Sequence, residues 1–455
     1  MQTLLRNGTV VNHNGMFEAD VLIENDRIIQ VKKGIVPESG MRTVDAGGMY
    51  VCPGFIDTHT HFDLDTGSAV TADNFDTGSR AAILGGTTTV LDFATQERNG
   101  TLKEALEVWH KKARASSCNY GFHMAIARWD EKTAAEMDIM SAEGVTSYKM
   151  YMVYNGLKVD DGQIYSALKE AKKRGALIAV HCENWEVLLR MCDEVKARGI
   201  LGPEGHPLSR PAAVEAEAVA RFMRIAELAD APAYVVHLST AEGFIEAKRA
   251  RARGQEVYLE TCPQYLLLTD ERYKDADGAK FVMSPPLRKD SDREALWKGL
   301  ENGDIQTVGT DHCSFTMAQK AMGKDDFTKI PNGGAGAAYR PKLMYTYGVL
   351  TGKLTMEQMV KYLSKNAALL FGMEDRGEIK EGAMADVVIW DPNATGRITD
   401  DDHAHHCDNS PYAGFEVEGA AKHVFLNGVH AVCDGVLQQP NAGKYIARGR
   451  YKKLQ

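Results

Sequence analysis

The chain predicts an α/β protein, a (β/α)8 TIM barrel carrying a small β-sandwich formed by both termini. Three observations predict it. Between its ends the sequence alternates eight apolar, strand-like runs with amphipathic helical stretches. Both ends consist of short strands and turns with no helix of useful length. Polar residues close several of the apolar runs, at the end where such barrels build their active sites. The 455 residues, 44% hydrophobic and 25% charged, exceed one typical domain. We place the barrel at 53–374 and the sandwich at 1–52 plus 375–455.

The N-terminal strands are expected at Thr3–Leu5, Thr9–Val11, Ala19–Glu24, Arg27–Val31 and Thr43–Asp45, with turns at Asn12–Gly15 and Glu24–Arg27. At the other end the strands are Ala385–Trp390, Ala421–Leu426 and Val429–Cys433, the last two joined by an Asn427-Gly428 hairpin signal. The barrel strands are expected at Tyr50–His59, Thr88–Phe93, Tyr120–Ala127, Val145–Tyr151, Leu177–His181, Tyr234–Leu238, Val257–Thr261 and Thr307–Asp311. Helices fit Thr101–Ala115, Asp161–Arg174, Ala212–Leu228, Ala241–Arg253 and Ser291–Asn302. A doubly wound open sheet competes, but no G-x-G-x-x-G or P-loop opens any helix.

A net charge of −9 argues against nucleic acid or an anionic membrane as partner. The basic cluster Arg448, Arg450, Lys452 and Lys453 reads as a solvated tail or a subunit contact, and His403-Ala-His-His406 as a polar surface loop. Eight singly scattered cysteines without a C-x-x-C pair predict reduced thiols and a cytoplasmic protein. No export signal and no run approaching 18 apolar residues is present.

Chemistry concentrates where strands end. His59 and His61 are two apart at the close of the first barrel strand, so their imidazoles share a face, which is half of a divalent metal site. His181, His237 and Asp311 close three further strands, and Lys149 lies near the end of another. Any one of these histidines alone would be read as a structural residue, and Asp311 as a helix cap. Together, at the convergent mouth of a barrel, they read as a metal centre. Lys149 needs its own argument, because a protonated ammonium has no lone pair to offer. Burial would free the amine, which can combine with carbon dioxide to give a carbamate that bridges two metals at a separation of about 3.5–4 Å. The competing reading turns Lys149 outward to an acidic neighbour.

The run Gly54-Phe-Ile-Asp-Thr-His-Thr-His61 with Lys149, His181, His237 and Gly309-Thr-Asp-His-Cys313 resembles the amidohydrolase superfamily, and within it the hydantoinase and dihydropyrimidinase branch, over essentially the whole chain. The resemblance implies two divalent metal ions per subunit, zinc or manganese, bridged by carboxylated Lys149. One would be held by His59, His61, Lys149 and Asp311, the other by Lys149, His181 and His237. It implies Asp311 as proton shuttle, Tyr154 as donor to the developing oxyanion, and Ser284 and Asn332 as positions that grip the ring imide or amide largely through backbone groups; the competing reading of these two, beside Pro and Gly, is that they shape their loops. Phe62–Asp65, Thr95–Arg98 and Met150–Leu157 would cradle the exocyclic substituent, with Leu64, Met152 and Tyr154 tolerating an apolar or aromatic one. His123 reads as a core or supporting residue, and Cys313 as lining or filler. A homotetramer is implied, with C-terminal segments reaching neighbouring subunits.

The implied reaction is hydrolytic ring opening of a cyclic amide or imide, a 5-substituted hydantoin or a dihydropyrimidine, to an N-carbamoyl amino acid. Dihydroorotases carry an arginine two residues after the second histidine, where this chain has Asp63, and allantoinase relatives carry Asn-Glu-Pro-Gly where it has Asp63-Leu-Asp-Thr-Gly67. Dihydropyrimidinase-like scaffold proteins share the fold without metal ligands, whereas all six ligand positions are filled here.

Overall fold

In the computed structural model, which describes residues 2–400 and 405–454, eight parallel strands form one sheet in sequence order. They are β1 (Phe55–Thr60), β2 (Thr87–Thr95), β3 (Asn119–Ala125), β4 (Ser147–Tyr151), β5 (Leu177–His181), β6 (Ala233–Val235), β7 (Val257–Thr261) and β8 (Thr307–Val308). The sheet curls back on itself through a parallel bridge between Thr60 and His312 and a bond from His61 N–H to His312 O, 2.8 Å. Asp57 reinforces that seam: its carboxylate accepts from the Thr310 N–H (3.0 Å) and the Thr310 hydroxyl (2.7 Å). Fully buried Arg340 donates across the seam to Ile56 O and Val308 O, both at 2.8 Å. Satisfying these buried groups in both directions joins the first strand to the last where β8 is too short to do so by ladder bonds alone.

The helices fall close to their expected ranges. Asp161–Arg174 starts at an Asp160–Gln163 capping box and stops at left-handed Gly175. Ala212–Leu228 matches its expected bounds, and Ala241–Ala252 and Asp290–Glu301 differ by one residue at their ends.

Both chain ends enter one nine-stranded sheet, in which Val387–Arg397 pairs antiparallel with Tyr50–Pro53, which in turn pairs parallel with Gln2–Asn12. The two short strands expected near the N-terminus are one strand, Gln2–Asn12, with an irregularity between Leu5 and Gly8. The run expected as a single strand at Tyr50–His59 belongs to two sheets: Tyr50–Pro53 lies in the nine-stranded sheet, and β1 begins at Phe55. Gly54 is the crossing point, where a Cβ would come within 2.1 Å of the Thr88 side chain, so only glycine lets the chain pass.

The basic C-terminal stretch is not a solvated tail. Backbone bonds tie it to the barrel at Tyr120, Gly144 and Gly175, and buried Arg448 donates to Ser147 Oγ at 2.8 Å. His403 lies outside the described residues, while His405 is buried rather than on a surface loop and accepts from Ala338 N–H at 3.1 Å. Met152, expected in a substrate loop, is a core residue. All eight cysteines are unpaired. Among the described residues, no helix is long and apolar enough to cross a membrane.

Candidate metal centre

The C-terminal ends of β1 and β5 carry His59 and His181, Lys149 is the middle residue of β4, and His61 lies one residue beyond β1. His237 and Asp311 differ from their expected placement, because β6 stops at Val235 and β8 at Val308. Both sit past the ladder with positive φ, 38° and 52°. Such backbone is uncommon for side chains of this kind, and it concentrates where function holds it in place. Gly309 lets this turn approach β1, since a Cβ there would lie 2.9 Å from that of His59.

The donor atoms of His59, His61 and Asp311 lie within 4.8 Å of one another. Asp311 Oδ1 is 3.2 Å from Nε2 of both histidines. The rings of His181 and His237 are 4.5 Å apart, and His237 is 5.4 Å from His59, so the two pairs form one cluster. Lys149 is buried, its Nζ 4.9 Å from the Phe93 ring that also packs on His59 and His61. Tyr154 packs its ring 5.2 Å from His181. All six expected ligands and the expected tyrosine therefore face one region.

Buried carboxylates aim the imidazoles. Glu260 Oε1 is 2.6 Å from His59 Nδ1, leaving buried His59 Nε2 without a hydrogen-bond partner on the cluster side. Glu183 Oε2 is 2.7 Å from His181 Nε2, which turns Nδ1 to the cluster, and Arg210 neutralises Glu183 at 2.6 Å. A carboxylate on the far nitrogen is the usual way a protein orients a metal-binding histidine. Burial lowers the pKa of His59, His181 and His237, keeping their lone pairs free. Burial also lowers Lys149 to about 8. Burial pushes Asp311 upward, but His59 and His61 outweigh it and hold the carboxyl below its ordinary range. Neutral imidazoles, a carboxylate and an amine brought closer to neutrality by burial fit a pair of divalent cations.

Asn332 Oδ1 is also buried without a hydrogen-bond partner, which suits a group waiting for a ligand, and buried Ser284 Oγ lies beside the Tyr154 phenol. His123 is fully engaged with Ser147 Oγ and Thr58 O and belongs to the core. Glu260, Glu183 and Arg210 went unnoticed in the sequence, although a glutamate inside the apolar run Val257-Tyr-Leu-Glu-Thr261 was a visible signal. A second donor group, His423, His430 and Cys433, lies in the nine-stranded sheet. Its His423 Nδ1 is already engaged by His430 Nε2 at 3.2 Å and the Asp434 N–H at 3.3 Å.

The profile of the Amidohydrolase family matches residues 50–430. A D-hydantoinase of Geobacillus stearothermophilus is 40% identical, with 100% of this chain and 98% of that protein covered. A D-phenylhydantoinase of Escherichia coli (strain SE11) is 40% identical, with 98% of each covered. Among solved structures, the dihydropyrimidinase of Brevibacillus agri NCHU1002 superposes with a TM-score of 0.97 at 39% identity, covering 99% of both chains. The L-hydantoinase of Arthrobacter aurescens superposes with a TM-score of 0.90 at 27% identity, covering 98% of this chain and 99% of that one.

Proposed function

Because the chain belongs to the amidohydrolase family, we propose that His59, His61, Lys149, His181, His237 and Asp311 hold two divalent cations for the hydrolysis of cyclic amides. The protein is a cyclic amidase that opens hydantoin-type rings. The observation that carries the metal reading is the close grouping of His59, His61 and Asp311, with His181, His237 and Lys149 packed beside them and buried His59 Nε2 making no hydrogen bond although Asp311 Oδ1 lies 3.2 Å away. The substrates are 5-substituted hydantoins or dihydropyrimidines, and the products N-carbamoyl amino acids.

When bound, the cations act as Lewis acids on the ring carbonyl and lower the pKa of water towards neutrality. Lys149 would serve as a shared ligand: its neutral amine would form an N–C bond to carbon dioxide, one C=O electron pair moving onto oxygen and one proton leaving the nitrogen, to give a carbamate with two oxygen donors. Asp311 takes the proton of the attacking water and delivers it to the departing ring nitrogen. Tyr154, whose phenol is pushed up by burial and so keeps its proton, donates to the carbonyl oxygen as charge develops there. Ser284 and Asn332 pair with the ring amide. Zinc or manganese as the metal, the homotetramer, the cytoplasmic location and the division at 53–374 belong to the same proposal.

The test is ring-opening kinetics on dihydrouracil, phenylhydantoin, allantoin and dihydroorotate at defined metal loading. The first two are expected to dominate, with about two metals per chain; dominant turnover of the ureide or the acid would overturn the substrate assignment. Tyr154→Phe is expected to lower kcat about 10²- to 10³-fold with metal content unchanged, and normal turnover would remove Tyr154 from the mechanism. Glu260→Gln is expected to weaken metal binding about 10- to 100-fold, read by competition with a chelator.

A further inference from the structure

Ser284 and Asn332 come from loops far apart in sequence, and their spacing has to match one ring. Both loops converge on a single buried cation. Lys320, the last residue of the helix Met317–Lys320, is 1% exposed. Its Nζ donates to Val282 O at 2.8 Å, Pro331 O at 2.7 Å and Gly333 O at 2.7 Å. An ammonium has three N–H donors and no more, so three backbone carbonyls take up its whole capacity.

The acceptors are informative. Val282 stands two residues before Ser284, while Pro331 and Gly333 flank Asn332 on either side. The two loops otherwise share the backbone bond from Gly333 N–H to Val282 O, 2.9 Å. The second loop also seats on the segment that follows Asp311, through Cys313 N–H to Gly334 O at 3.2 Å. A Cβ on Gly333 would fall 2.2 Å from Cys313 O, so this seat leaves no play. Burial works against the charge on Lys320, whereas three carbonyl acceptors within 2.8 Å favour the three-donor ammonium. Oriented carbonyl dipoles are thus what hold the charge, and the charge in turn draws the carbonyls together.

We infer that Lys320 is a positioning residue that sets the distance between the Ser284 and Asn332 loops and thereby tunes the fit of the substrate ring. The inference rests on the reading of those two residues as ring-binding groups. The hydrogen bonds of Lys320 Nζ go to the backbone of these loops, with the Phe315 ring 5.7 Å away, so its removal is expected to loosen ground-state and transition-state binding alike while the proposed shuttle and metal ligands keep their own side chains. Such a loss raises KM with little change in kcat.

The experiment compares the parent enzyme with Lys320→Gln, which keeps two donors, and Lys320→Met, which keeps none, using a 5-substituted hydantoin and metal-loaded protein. The expected result is a graded rise in KM, about tenfold for Lys320→Met and smaller for Lys320→Gln, with kcat within about threefold and parental metal content. A role in stability alone would lower the melting temperature or the active fraction and leave KM where it was; an unchanged KM in folded, active Lys320→Met overturns the inference. Failure of both variants to fold would likewise overturn it, by making the ammonium a requirement of folding. Absence of ring opening in the parent would instead sink the reaction assignment, so the two failures are distinguishable.

Discussion

Lys149→Ala is expected to lose most of its bound metal and more than about 100-fold in activity, beyond the upper end of what an outer partner of a metal ligand costs. The reasoning runs through protonation. At pH 7 an ordinary lysine is neutral in about one molecule in three thousand. Buried against Phe93, and lowered to about 8, Lys149 is neutral in about one in ten. That gain in free amine is what lets carbon dioxide compete with a proton. Alanine offers neither a carbamate nor any donor atom, and leaves the ligand sets of β1 and β5 without a bridge. Metal analysis and circular dichroism on the same sample check the prediction; a folded variant with parental metal content would exclude Lys149 from the centre.

Asp311→Asn is expected to reduce kcat by about 10⁴-fold, the upper end of what a positioned proton-transfer group contributes, while retaining a large part of the metal. The amide keeps an oxygen to offer a cation but cannot accept and return a proton. His59 and His61 hold the carboxyl below its usual range against the upward push of burial, so the proposed shuttle would stand deprotonated at neutral pH. Metal content and single-turnover kinetics measured together separate the two duties. Near-normal turnover with metal bound would pass the shuttle to another group, whereas complete metal loss would mark Asp311 as a ligand first.

Local chemistry wrote a good deal of this molecule directly into its sequence. The alternation of strand and helix periods announces elements such as Asp161–Arg174, Leu177–His181 and Val257–Thr261, whose bounds the structure reproduces. The six residues proposed for the centre stood out in the sequence, because a polar side chain near the close of an apolar run is conspicuous whatever the rest of the chain does. The run Tyr50–His59 misled, since apolar continuity cannot tell one strand from two strands in different sheets divided at a glycine.

Tertiary structure alone decided which distant polar atoms meet. Glu260 reaches His59 across 201 positions, and Lys320 gathers carbonyls from 38 positions before it and 13 after it. The turns that bring in His237 and Asp311 lie beyond the last ladder bonds, with backbone angles that no periodicity encodes. Hydrophobic patterning specifies which face of an element is buried. It carries no information about the partner of a buried charge, which is set only when the barrel closes and every donor must find an acceptor.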